Sequence, residues 1–332
     1  MQDVPLCKGQ LSGIISAKSL KSFHHAFMDA KPISITYAVT DSWAQHLAVA
    51  IISVITNNPG ESFVFHVLHH DVTDATLAKF ALIESSNPNV RIKFHHIDES
   101  RFAEFPTPKC LSEIPLIACF RLVMPEILQD ESRTIYSDID VLTVRGGVRE
   151  LWETNLDGCP LACISDHHID TADFRLFRKM IGVGPKDDYF CSGLIVMDLD
   201  AMRRDGFVER CFETVCRLRD IIVYVDQDVL NSAYAGRIHP LPDKWNCAAK
   251  WNPFRHDVVQ WHFQSQTAKP WCNIWKNITW VPYLKYLLKT PYRANALRFV
   301  MGHLAGLFWF SYTKNCVRRY LFCGIRVWKR KV

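Results

Sequence analysis

From residue 33 onward the chain alternates short strand-like apolar runs with longer runs of helical spacing, and this alternation constrains the fold more than any other feature. Residues 33–39 read as a buried strand, 62–68 alternate around Phe63, Phe65 and Val67, and 90–97 alternate again. Between them, residues 42–56 and 74–84 place apolar side chains at helical intervals. Further strands are expected over 133–137, 161–165, 193–199 and 258–263. Helices are expected over 112–129, 200–219 and 227–235, the first bent or broken at Pro115 and Pro125. Such a pattern predicts an α/β fold with a mainly parallel, doubly wound sheet. No internal repeat interrupts it.

Charge divides the chain unevenly. The 332 residues carry 39 Lys+Arg and 34 Asp+Glu, but the last acid is Asp257. The 75 residues after it hold 13 Lys+Arg and no acid, so an acidic body of −8 precedes a tail of +13. Asymmetry of this kind marks a tail that meets an anionic partner, a membrane or a nucleic acid. Trp271, Trp275, Trp280, Trp309 and Trp328 interleave with the cations, and residues 304–310 are strongly apolar. That mixture suits lipid better than a phosphate backbone, so the tail is read as helical and membrane-associating, with no nucleic-acid partner. The plainer reading is a C-terminal helix packed on the body with its Lys and Arg solvated. The longest uncharged stretch there, residues 299–313, has 15 residues. A membrane span needs about 20. Twelve scattered cysteines without a Cys-x-x-Cys pair, behind an N-terminus lacking a signal-peptide pattern, lead to an expectation of reduced, mostly buried thiols in the cytosol.

The sharpest motif is Asp138-Ile139-Asp140, placed after an apolar run. On an extended backbone, residues two apart share a side, so both carboxylates converge at a strand's C-terminal end, where open α/β sheets bind ligands. Converging carboxylates repel unless a cation or proton joins them, and hard oxygen ligands suit Mg²⁺ or Mn²⁺. Two solvated acids at a strand end are the plainer reading. A second cluster, Asp226-Gln227-Asp228, reads first as a helix N-terminus with Asp226 as its cap, and is compatible with a sugar- or metal-facing role. In the third, a His262 turned toward two acids would complete a metal shell, with Lys269 facing phosphate. The paired histidines at 24/25, 69/70, 95/96 and 167/168 read as surface or structural. No Gly-x-Gly-x-x-Gly, Walker-type loop or Gly-x-Ser-x-Gly elbow occurs, which removes the main support for a dinucleotide oxidoreductase, a P-loop enzyme or an α/β-hydrolase.

Taken in order, YAVTDSW (37–43), FRL (120–122), IYSDIDVLT (135–143), DYFCSGLIVMDL (188–199), DQDVLN (226–231) and HF…KPW (262–271) resemble glycosyltransferase family 8. The branch that builds the bacterial lipopolysaccharide or lipooligosaccharide core is the most similar. The resemblance implies a nucleotide-diphospho-sugar transferase fold of GT-A type, Rossmann-like. It implies a retaining α-glycosyltransferase that moves galactose or glucose from a UDP-hexose to a lipid-linked oligosaccharide, with Mn²⁺ or Mg²⁺. By position, Asp138, Asp140 and His262 match the metal ligands. Ala38, Thr40 and Asp41 match the uridine-binding strand end, and Ile139 a backbone contact to the nucleotide. Arg121 and Asp166 match positions holding the donor sugar and diphosphate, with Cys191 and Ser192 beside the sugar. Asp226 and Gln227 match residues near the anomeric carbon, and Lys269 a phosphate-facing lysine.

Three residues depart from the family pattern. Thr40 stands where an acid is common, so Asp41 takes part of that role. Cys191 stands where an Asn usually bonds a sugar hydroxyl, and its thiol is a poor donor. The loop after His262 reads QSQTA where relatives have a Gly near the phosphates. The resemblance divides the chain into a leader (1–31), a catalytic domain (32–275) and a membrane-association or acceptor-binding segment (276–332). Retention is open to front-face attack or to a covalent intermediate on Gln227 or Asp228. The expected location is the cytosolic face of the membrane, as a peripheral enzyme. Alternatives are a family member with another glycan acceptor, or a nucleotide-sugar-binding protein without turnover.

Overall fold

The computed structural model describes residues 31–106, 116–166, 171–248, 255–264, 269–271, 280–314, 317–322 and 325–331, with backbone alone from residue 302. The leader, His24/His25, His167/His168 and residues 265–268 of the QSQTA loop lie outside the described residues. Residues 33–332 form one compact unit.

The first half is a run of strand–helix units: β1 (Ile33–Ala38), α1 (Ala44–Asn57), β2 (Phe63–His69), α2 (Asp74–Ser85) and β3 (Val90–His96). Thr73 caps α2, its side chain accepting a hydrogen bond from the Thr76 amide. A 3-10 helix (Leu116–Val123) then leads into the single turn α3 (Met124–Ile127), with Pro125 in its first turn. This is the described part of the expected bent helix. Next come β4 (Arg133–Ser137), β5 (Val141–Thr143), α4 (Val148–Trp152), β6 (Leu161–Ser165), α5 (Ala172–Met180) and β7 (Phe190–Asp198). The single helix expected over 200–219 is two, α6 (Leu199–Arg204) and α7 (Phe207–Leu218). Gly206 between them takes φ 62°, a left-handed conformation that ends one helix and starts the next. Helix α8 (Val225–Ala233), β8 (Ile238–Leu241), β9 (Cys247–Ala248) and β10 (Gln260–His262) complete the body.

Seven strands form the main sheet in the order β3-β2-β1-β4-β7-β6-β8. All pairs are parallel except those of β7, which runs against both β4 and β6. Side chains alternate between two cores. Ile135, Leu194 and Val196 face the one that α1 covers, while Tyr136, Ile195 and Met197 face the one that α7 and α8 cover. Burial on both faces explains why the strands read as continuous apolar runs. A second sheet, β5-β10-β9, stands at the C-terminal end of β4, with β10 antiparallel to β5.

The change of composition after Asp257 is not a packing boundary. Helix α9 (Trp280–Leu287) buries Tyr283, Tyr286 and Leu287 in the same core as β1 and α1, and Tyr292 and Ala296 follow. Truncating a fully buried residue such as Leu287 to Ala would cost about 2–5 kcal/mol. Helix α10 (Asn295–Phe308) continues the tail, but its helical character ends there. Strands β11 (Trp309–Lys314), β12 (Val317–Phe322) and β13 (Ile325–Lys331) pair antiparallel in that order. Their aromatic and β-branched residues favour a pleated surface over a helix. Among the described residues, no helix is long and apolar enough to cross a membrane.

Candidate active site

Asp138 and Asp140 do meet, but by a turn rather than by strand alternation. Strand β4 ends at Ser137, and the Val141 amide donates to the Asp138 carbonyl at 3.1 Å, closing a turn into β5. The Asp138 amide is held by the Gly193 carbonyl of β7 at 2.8 Å. Strand β10 pairs His262 with Val141 and so lays its ring beside the turn. His262 Nε2 lies 3.4 Å from Asp140 and 3.9 Å from Asp138. One ligand atom from each of the three residues falls within 4.8 Å of the others.

Charge is concentrated and mostly buried here. Asp140 and His262 side chains are 11% and 6% exposed. Lys269 donates to Asp140. Burial alone would raise the Asp140 carboxyl, but Lys269 and His262 outweigh it and hold it well below the usual range. Burial likewise disfavours a charged His262, yet Asp140 lifts it to about 10.

Arg121 braces this corner from behind. The 3-10 helix carries it into the core, where its guanidinium lies 4.1 Å from the Tyr136 ring centre. It donates to Asp138 at 2.8 Å, to the Ala118 carbonyl at 2.8 Å and to the Ser192 carbonyl, and forms an ion pair with Asp226 at 3.2 Å. Its donors are thus spent on linking the two acidic clusters, which fixes Asp138 rather than presenting a free cation.

The second cluster lies at the start of α8, whose cap position is Tyr224, not Asp226. Burial raises the Asp226 carboxyl, with Arg121 opposing. Its Oδ2 is buried and accepts no hydrogen bond among the described residues. Gln227 Oε1 accepts from the Ser192 amide at 3.1 Å, while its Nε2 donates to Asp166 at 3.3 Å. Asp166, directly after β6, is tied by its own amide to the Tyr189 carbonyl. Asp228 plays another part, accepting from the Tyr189 hydroxyl at 2.5 Å and from the Val223 and Tyr224 amides at 2.7 and 2.6 Å. With both oxygens accepting from those three donors, it anchors the helix start.

The nucleotide-side residues cluster at the end of β1. Ala38 closes the strand, and Thr40 and Asp41 follow in the turn before α1. Asp41 Oδ1 accepts from the Thr73 amide and hydroxyl, both at 2.9 Å, so this carboxylate also ties down the loop after β2. Ile139 occupies the turn between the two acids and packs partly on the core. Cys191 Sγ accepts from Gln264 Nε2 at 3.4 Å and lies 3.9 Å from His262 Nδ1, on the ring edge away from the acids.

Three residues that shape the site were not singled out in the sequence. Tyr136 donates to Asp138 at 2.9 Å and sits two positions before it, a spacing that strand alternation makes informative. At Gly193 a Cβ would stand 2.2 Å from His262 Cε1, so the ring occupies the space a side chain would need. A glycine inside the apolar run of β7 is the available signal. His46, in the first turn of α1, stacks on Trp271 with ring centres 3.8 Å apart. It carries no such signal.

Comparison with known proteins agrees with this arrangement. The model of glycosyl transferase family 8 matches residues 34–275. The chain belongs to glycosyl transferase family 8. It is 24% identical over 231 residues to a Haemophilus influenzae protein named as a glycosyltransferase on inference, covering 70% of this chain and 67% of that one. It is 22% identical over 214 residues to the lipopolysaccharide 1,2-glucosyltransferase of Escherichia coli, covering 64% of this chain and 62% of that enzyme. Among solved structures, the galactosyltransferase LgtC, determined with donor and acceptor sugar analogues, superposes with a TM-score of 0.69. It is 24% identical, and the match covers 78% of this chain and 96% of LgtC. The GT-A-type fold follows from that match, and glycosyl transfer is the family's chemistry.

Proposed function

We propose that this family 8 member is a retaining α-glycosyltransferase that moves galactose or glucose from a UDP-sugar to a lipopolysaccharide or lipooligosaccharide core acceptor. The observation that carries the reading is the meeting of Asp138, Asp140 and His262 with Lys269 at the C-terminal end of β4. Two carboxylates and an imidazole nitrogen suit a divalent cation such as Mn²⁺ or Mg²⁺. When bound, the cation would neutralise charge on the donor's diphosphate.

The chain's own groups do the rest. Lys269, within reach of Asp140, adds positive charge where the leaving UDP becomes anionic. Ala38, Thr40, Asp41 and the Ile139 backbone line the uridine side. Asp226 Oδ2, paired with Arg121 but accepting no hydrogen bond among the described residues, is an acceptor for a sugar hydroxyl, and Asp166, Ser192 and Gln227 form a linked wall on the same side. Gln227 oxygen already accepts from Ser192 and is neutral, and Asp228 is committed elsewhere. A covalent intermediate on either is disfavoured. Front-face attack is the better reading, with the departing phosphate oxygen accepting the acceptor's proton.

The tail supports a membrane-built acceptor. On α9, α10 and the turn between them, Val281, Leu288, Leu297 and Met301 are exposed, and the same stretch carries Lys285, Lys289, Arg293 and Arg298 with no acid. Exposed apolar side chains flanked by cations suit the interface of an anionic bilayer, which supports the reading of a peripheral enzyme on the cytosolic face of the membrane.

UDP release from a panel of UDP-hexoses, with Mn²⁺ and with chelator, tests the donor reading without an acceptor. Metal-dependent release from UDP-galactose or UDP-glucose is expected. UDP binding without release from any donor, even with core oligosaccharide added, would favour a binding protein. Sedimentation with vesicles containing anionic lipid tests the tail. The double variant Leu297→Glu, Met301→Glu should release the protein while UDP release continues, and unchanged sedimentation would sink the membrane reading.

A further inference from the structure

The first turn of α1 is bonded to the C-terminal segment. Tyr283 of α9 accepts from Gln45 Nε2 at 3.3 Å, and its hydroxyl lies 2.6 Å from His46 Nδ1. Asn295, the first residue of α10, donates to Gln45 Oε1 at 2.7 Å. With Gln45 donating to the tyrosine oxygen, the hydroxyl proton is free to point at His46, whose Nδ1 is then the acceptor. On its other side the His46 ring stacks on Trp271, which also meets Trp43 and Tyr283 at 5.7 and 5.5 Å.

Trp271 stands two residues after Lys269, with Pro270 between them. Proline fixes one backbone torsion, so a displacement of Trp271 is carried to the Lys269 backbone instead of being absorbed. Lysine has a flexible four-carbon stem, and a close pair with a nearly buried carboxylate needs its Cα held in place. His46 itself stays uncharged: burial holds it down to about 3, with the nearby Lys269 opposing protonation. It therefore acts on this corner through shape and one hydrogen bond.

We propose that His46 is a positioning residue for glycosyl transfer: clamped by Tyr283 and stacked on Trp271, it sets where Lys269 stands beside Asp140. The segment that carries the candidate membrane face thus also buttresses the leaving-group side of the site. This rests on the reading of Lys269 as facing the donor's diphosphate.

The test is a double-mutant cycle read by calorimetric UDP binding in the presence of Mn²⁺, on full-length protein. Lys269→Ala should weaken UDP about tenfold to a hundredfold, the weight of a charge-assisted contact. His46→Ala should weaken it about fivefold to tenfold in the wild-type background and less than twofold in the Lys269→Ala background. His46→Phe, which keeps the stack but loses the bond to Tyr283, should recover most of the affinity and guards against a folding failure. Equal losses from His46→Ala in both backgrounds would mean a merely structural role and overturn the proposal. No loss in either background would overturn it as well. If Lys269→Ala leaves UDP affinity unchanged, the diphosphate reading of Lys269 fails first.

Discussion

Two polar clusters sit on the same sheet and use the same residue types to opposite ends. At the end of β4, Asp138, Asp140 and His262 converge, with Lys269 touching Asp140 and Arg121 touching Asp138 from behind. At the β2–β3 edge, His66 Nδ1 lies 3.0 Å from His95 Nε2, and His66 Nε2 lies 3.2 Å from Glu131. The edge cluster closes on itself. Glu131 accepts from Nε2–H, which leaves Nδ1 to accept from His95, and both rings are satisfied while neutral. The first cluster instead gathers ligand atoms from two carboxylates and one ring within 4.8 Å of one another, and Asp226 Oδ2, ion-paired with Arg121, accepts no hydrogen bond among the described residues. Function is legible in that convergence at a strand end, not in the mere presence of histidines and acids.

Substitution should separate the clusters most sharply. Asp140→Asn removes a ligand and Lys269's partner, and should lower turnover by roughly a thousandfold with the fold intact. His66→Asn should leave turnover within about twofold, while costing about 1–3 kcal/mol of stability by removing the hydrogen bonds that His66 makes to His95 and Glu131. Steady-state UDP release and denaturant unfolding read the pair. A large activity loss from His66→Asn would erase the distinction.

Gly193→Ala comes next. The new Cβ must push the His262 ring aside, since it would otherwise stand 2.2 Å from Cε1. A tenfold to hundredfold loss of metal affinity is expected, the usual cost of disturbing a ligand's orientation. Metal titration of the variant checks it, and unaltered affinity would mean that His262 is not a ligand.

These two substitutions also show what the sequence could and could not reveal. Asp138, Asp140, His262 and Lys269 were recognisable because their motifs occur in a fixed order along the chain. The strands were recognisable because burial on both faces left continuous apolar runs. The convergence of the two acids was expected for the wrong local reason, since a turn held by the Gly193 carbonyl brings them together, not the strand pleat. The sequence offered Asp228 beside Gln227 as a candidate nucleophile, and only three-dimensional packing shows its carboxylate bonded to Tyr189 and two amides. The tail's composition hid that α9 belongs to the core, because exposed Lys and Arg outnumber the three buried side chains that settle the matter. His46 had no local signal for its link to the C-terminal segment: Trp271 and Tyr283 lie more than 220 residues away.

The smallest expected effect concerns pH. Burial, with the neighbouring His66 and Lys93 adding to it, depresses His95 to about 4 in the folded state, against about 6.5 when unfolded. Between those values the unfolded chain binds a proton that the folded one refuses. Stability is therefore fully present above pH 6.5 and falls as pH drops toward 4. His95 is half-buried, so after discounting for solvent the loss should be on the order of 1 kcal/mol. Thermal unfolding of wild type and His95→Asn over this range reads it, with a shallower decline expected in the variant. A parallel decline would assign the pH dependence elsewhere, His46 being the next group depressed by burial.

The most direct measurement is Mn²⁺ binding followed by electron paramagnetic resonance, with and without UDP, in wild type, Asp140→Asn and His262→Ala. One ion per chain, tightened by UDP and lost in both variants, is the result expected of a cation held by Asp138, Asp140 and His262. Equal binding in all three proteins, or none in the wild type with UDP present, would contradict the assignment of this corner as the metal and diphosphate site.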